Sequence, residues 1–75
     1  MMMARPFRLL RGRMRACEMT QEDIARRLML SAVSVSRRMS GKESWRLDEC
    51  YEVLSLLDLD DRQLCKYFPR GGRNE

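Results

Sequence analysis

Histidine is missing from this 75-residue chain, and prolines (two), glycines (four) and aromatic rings (one Trp, two Tyr, two Phe) are few. Without an imidazole, the commonest general base and metal ligand is gone. No G-x-S-x-G turn, phosphate loop or pair of carboxylates on an apolar pocket stands in for it. The expectation is a protein that is not an enzyme, with no cofactor and no small-molecule substrate. Cysteine is present three times, at Cys17, Cys50 and Cys65. An odd number without a C-x-x-C pair argues against a zinc site or a disulfide framework. Each falls on an apolar stripe, so buried, reduced thiols in a cytoplasmic protein are expected, with a redox switch as the alternative. No apolar run is long enough for a membrane span or a signal peptide, so no membrane partner is expected. The first seventeen residues hold five Arg and no acid, as targeting segments do. Residues 7–17 are nevertheless needed as the first helix.

What is present fits one small helical domain. Seventy-five residues, 44% of them hydrophobic, allow a single modest core, and dimerisation would add to it. The domain is read as residues 6–69, with disordered tails at 1–5 and 70–75. Charge is divided along the chain. Residues 1–42 carry ten Arg/Lys against three Asp/Glu, a net +7, and residues 43–75 carry five against eight, a net −3. A basic half suits a protein that offers one face to a polyanion, although a merely solvated basic surface has the same composition.

The organising stretch is 20–41. Thr20 is a good N-cap with Asp23 three residues on, close to a capping box. Ile24, Ala25 and Leu28 then recur at helical spacing. Ser31 offers a second N-cap, Val35 and Met39 follow four and eight residues later, and Gly41 is a natural stop. Leu30 is placed to plug the core from the turn. If Val35 and Met39 point inward, Ala32, Val33, Ser34, Ser36 and Arg37 point outward. Such a short-chained face admits a base edge, and Arg37 can pair bidentately with guanine. Helix, tight turn and exposed polar helix together are the arrangement that enters a major groove. Ala32, Val33, Ser36 and Arg37 are the candidate base readers. Gln21, Arg38, Ser40 and Lys42 are the candidates for phosphate, with Glu43 pointing away.

Around this unit, Pro6 fits the start of a helix over about 6–18, with Phe7, Leu10, Met14 and Cys17 on its buried face. Arg5 and Arg8 offer a basic arm, although frayed termini are commoner. Trp45 is expected to cap the core between helices three and four, with stacking on nucleic acid as the alternative. Leu47, Cys50, Tyr51, Leu54 and Leu57 mark a fourth helix over about 46–57. Asp60 caps a fifth, stapled by Leu59 and Leu64 and ended by Pro69.

The runs T-Q-E-D-I-A-R-R-L and S-R-R-M-S-G-K, with L-R-G-R-M before them and Y-F-P at the end, resemble the lambda-repressor-like (XRE/Cro-type) helix-turn-helix family over about residues 7–69. They are most similar to small Cro-like prophage regulators of Gram-positive bacteria. The resemblance implies an all-α, five-helix DNA-binding domain whose helices 2 and 3 form the helix-turn-helix. Three departures stand out. Relatives pair an Arg and a Glu where Met14 and Met39 stand, and these two methionines are expected to touch instead. Relatives carry Gly, often at positive φ, where Met29 stands, so Met29 is either strained or the helix ends differently. The frequent reading Gln is Ala32, which favours a thymine methyl over adenine.

The C-terminal part often dimerises in that family. Leu57, Leu59, Leu64, Tyr67 and Phe68 therefore form a two-fold interface or only complete the core. The resemblance further implies a homodimer on an inverted repeat of double-stranded DNA, repressing transcription in a bacterial or phage-infected cytoplasm. The alternative is a protein-interaction module of the same fold, an antitoxin or the partner of another regulator. RNA binding lacks the exposed aromatic pair that common RNA modules use.

Overall fold

Helices of eight to ten residues are too short to persist alone in water, so each here must be held by its caps and by the face it buries. The computed structural model of the chain describes residues 7–69. Both expected disordered tails, the Arg5 arm and Pro6 lie outside the described residues. The fold is all-α: α1 (Arg8–Ala16), α2 (Gln21–Leu28), α3 (Ala32–Met39), α4 (Leu47–Leu56), a 3-10 turn (Asp61–Gln63) and α5 (Leu64–Tyr67), with no strand among the described residues. None of these helices is long and apolar enough to cross a membrane.

Leu10 and Met14 of α1, Ile24 and Ala25 of α2, Val35 and Met39 of α3 and Cys50, Val53 and Leu54 of α4 converge on one core. Ala25, with no side chain beyond Cβ, lets α3 lie close to α2. Leu30, in the turn between them, packs against the same core. Met14 and Met39 are both buried in it. Trp45 closes one end. Buried on the connection between α3 and α4, as expected, it meets Phe7 edge-on at 6.5 Å and Phe68 at 5.5 Å, which also joins the start of α1 to the end of α5. Such edge-to-face pairs favour this geometry over face-to-face stacking.

The four longer helices end alike. Glu18 (φ 54°), Met29 (58°), Gly41 (83°) and Asp58 (60°) are each left-handed. In each case the next amide reaches back five residues: Met19 to Met14 and Leu30 to Ala25 at 2.8 Å, Lys42 to Arg37 at 2.9 Å, and Leu59 to Leu54 at 2.8 Å. These are Schellman ends, and only one uses the residue that adopts them without a Cβ penalty. Met29 therefore takes the strained of its two expected courses. Helix α1 adds two further caps. Arg11 donates to the Met39 carbonyl at the end of α3 (2.7 Å), and Arg13 donates twice to the Leu57 carbonyl at the end of α4 (3.2 and 3.0 Å). A cation at a helix C-terminus satisfies orphan carbonyls and meets the negative end of the dipole.

Several sequence expectations are corrected. The first helix starts at Arg8, after a left-handed Phe7, and ends at Ala16. The chain turns back at Glu18, which leaves Cys17 at the rim, with its Sγ 3.8 Å from the Leu57 carbonyl. Cys17 and Cys65 are exposed and only Cys50 is buried; desolvation, reinforced by the neighbouring Glu49 and Asp48 charges, pushes its thiol up to about 12. On α4, Leu47 and Tyr51 face solvent while Glu49 turns inward. Asp60 does cap, but it starts a 3-10 turn, accepting from the Arg62 amide at 2.8 Å. Leu57 and Phe68 are sealed in the chain's own core and are not available to a partner, whereas Leu59, Leu64 and Tyr67 are only partly buried against it.

Two outcomes follow from this architecture. Met29→Gly should stabilise the fold by about 1 kcal/mol, since the left-handed penalty disappears and the side chain is 91% exposed; a urea midpoint that falls would contradict it. A thiol reagent should modify two cysteines at once and the third only on unfolding, whereas three fast thiols would place Cys50 elsewhere.

Candidate nucleic-acid interface

Helix α2 begins where Thr20 and Asp23 exchange hydrogen bonds: the Asp23 amide donates to Thr20 Oγ1 at 3.1 Å, and the Thr20 amide and hydroxyl both donate to Asp23 Oδ2 at 2.9 Å. The Thr20 backbone bond, followed by the hydroxyl, holds the Asp23 carboxyl below the usual carboxylate range. Helix α3 begins at Ser31, whose Oγ accepts the Ser34 amide at 3.0 Å. Both caps match their sequence signals. They set the starts of α2 and α3, which a three-residue turn joins.

Val35 and Met39 are fully buried, so α3 presents its other side. Ala32, Val33, Ser36 and Arg37 are all exposed on it, with Val33 at 63%. The structure brings these four together. Ser40 continues the face by one turn and donates its hydroxyl to the Arg37 carbonyl at 3.1 Å; Lys42 is exposed in the following loop. Gln21 is partly exposed as the first residue of α2. Ser34, expected outward, is partly buried.

Arg38 is corrected. Its guanidinium does not reach out for phosphate: Nε and Nη2 donate to Glu49 at 2.8 and 3.3 Å, and Nη1 donates to the Ser34 carbonyl at 3.1 Å and Glu43 at 3.2 Å. The Arg38 and Glu49 side chains are only 11% and 10% exposed. Glu49 also accepts the Arg46 amide at 3.0 Å, so one carboxylate caps α4 and clamps α3 to it. Nor does Glu43 point away, because it lies 3.6 Å from Arg37 and also pairs with Arg38. The exposed Arg37 thus sits beside an acid that the sequence pattern had placed away from it.

The ends of α3 differ electrically. Beside Ala32 lies an open cleft of about 370 Å³ lined by Thr20, Glu22, Asp23, Ala25, Arg26 and Leu30. Asp23 there is paired with Arg26. At the other end stand Arg37, Lys42 and Arg11. Arg11 and Glu49 were both missed as site residues. The i, i+4 position of Arg11 after Phe7 hinted at its side of α1, but nothing local hinted that Glu49 would be buried.

This is a small all-helical protein that presents one short helix on a clamped scaffold. The model of a family described as protein of unknown function (DUF739) matches residues 3–70, and the chain belongs to that family. No curated protein and no solved structure matches it.

The clamp predicts a large and specific effect. Glu49→Ala should destabilise by about 3–5 kcal/mol, because it strands a buried guanidinium, while Arg38→Met combined with Glu49→Leu should recover most of that loss. Equal damage from the single and double variants in urea melts would show that the pair is not the clamp.

Proposed function

We propose that the protein is a sequence-specific regulator of transcription that binds double-stranded DNA, with α2, its turn and α3 acting as a helix-turn-helix of the lambda-repressor-like (XRE/Cro) type. Helix α3 enters the major groove. The observation that carries this reading is the exposed face of Ala32, Val33, Ser36 and Arg37 on a helix clamped through Arg38 and Glu49. Three short side chains allow close approach, and the one long one is a guanidinium suited to guanine O6 and N7. Ala32 and Val33 meet thymine methyls. Gln21, Ser40 and Lys42 fix register on phosphates, without Arg38. Glu43 holds Arg37 in the free protein and yields it to a base.

Such a protein acts by binding rather than catalysis, as a homodimer on a short inverted repeat in the cytoplasm of a bacterium or of a phage-infected host. An early-gene repressor of a phage or other mobile element fits its size. Leu59, Leu64 and Tyr67 are the remaining candidates for the protomer contact. A second reading, a protein-interaction module such as an antitoxin, is favoured by one observation: Met29 (91% exposed) and Val33 put apolar surface at the start of α3.

Gel retardation on duplexes selected from a random pool, repeated across a salt series, separates the two. DNA binding with about six phosphate contacts should lose roughly three orders of magnitude in affinity between low and moderate salt. Arg37→Ala should weaken the selected site by about 1–3 kcal/mol and blur one base position, whereas Lys42→Ala weakens all duplexes alike. Unchanged affinity and preference in Arg37→Ala would remove α3 from the groove.

A further inference from the structure

Helix α1 has two flanks beside its buried side. Arg13 and Cys17 lie on one and reach the end of α4 at the Leu57 carbonyl. Arg8, Arg11, Gly12 and Arg15 lie on the other, spaced i, i+3, i+4 and i+7, and so share a face. Arg11 ties that face to the end of α3 through the Met39 carbonyl. Arg8 and Arg15 are exposed, and no carboxylate among the described residues pairs with either.

Gly12 is the unexplained member. Glycine inside a helix weakens it, and only proline is worse. Packing usually accounts for such a residue, but a Cβ added at Gly12 would meet nothing within 4 Å. No neighbour within the fold requires the bare backbone. It does leave a shallow floor between two long cations, the shape of a surface that something outside approaches closely.

We propose that this face of α1 is a second contact to duplex DNA: Arg8 and Arg15 hold sugar-phosphate backbone next to the groove read by α3, and the backbone closes in over Gly12. This rests on the DNA-binding reading of α3 and adds a surface to it. The partner is a polyanion rather than another helix. Gly12 and the exposed Ala16 and Leu9 would admit one, but a second copy against this face would bring four guanidinium groups together without counter-charge.

The test compares wild type, Arg8→Gln/Arg15→Gln, Gly12→Ala and Gly12→Gln on a duplex selected by wild type, with urea melts and sedimentation beside the binding curves. Both glycine variants should melt at higher urea, as better helix formers. Gly12→Gln should nevertheless bind the duplex roughly tenfold more weakly, and the double arginine variant should reduce the salt slope by about two, both with the base preference intact. Unchanged affinity and slope, while Arg37→Ala still alters preference, would overturn this inference alone. No duplex binding by wild type would overturn it together with the reading of α3. A change of oligomeric state in Gly12→Gln would assign the face to a protein partner and overturn it as well.

Discussion

A carboxylate in the first turn of α4 decides where α3 points. Glu49 takes two bonds from Arg38 and one from the Arg46 amide, so the same group starts one helix and holds another. A charge pair buried this far gains little net stability over a well-packed apolar pair, because desolvation offsets the attraction. Its geometry is more demanding than that of an apolar contact, however. Arg38 must follow Val35 and precede Met39 on the helix, so its position sets the rotation of α3 about its own axis. With Val35 and Met39 inward, that rotation leaves Ala32, Val33, Ser36 and Arg37 facing solvent.

The same economy of charge governs the helix ends. Short helices leave a large share of their carbonyls unpaired, and here the answer is Schellman turns together with guanidinium groups from α1. Arg11 and Arg13 bracket α1 between the ends of α3 and α4. Three of the chain's fifteen basic residues are therefore not surface charge in the simple sense. Arg11, Arg13 and Arg38 hold helices in place, whereas Arg8, Arg15, Arg37 and Lys42, on and beside α1 and α3, are among the cations that face outward.

Much of the fold was legible because it is written in local chemistry. Thr20, Asp23 and Ser31 cap the helices they were expected to cap, Gly41 ends α3, and the Ile24, Ala25, Val35 and Met39 faces are buried as their spacing implies. What was not legible depends on tertiary partners. Arg38 looks like any surface arginine until Glu49 is seen opposite it. Leu47 and Tyr51 fit the apolar stripe of α4 as well as Val53 does, and only the turn of Glu49 toward Arg38 places them outside. Cys17 and Cys65 sit at stripe positions, yet one follows the last turn of α1 and the other lies on a four-residue helix too short to bury a full face. Of the expected interface residues, Leu57 and Phe68 are taken up by the core: Leu57 follows the last turn of α4, and Phe68 packs against Phe7 and Trp45.

The central claim is that the outward face of α3 is the part of this molecule that touches its partner. Amide chemical-shift mapping of the labelled protein against a short duplex selected from a random pool tests it directly. The account predicts that the largest shifts fall on residues 32–37 and 40–42, with α5 unmoved. Shifts confined to α4 and α5, or none at saturating duplex, would contradict it.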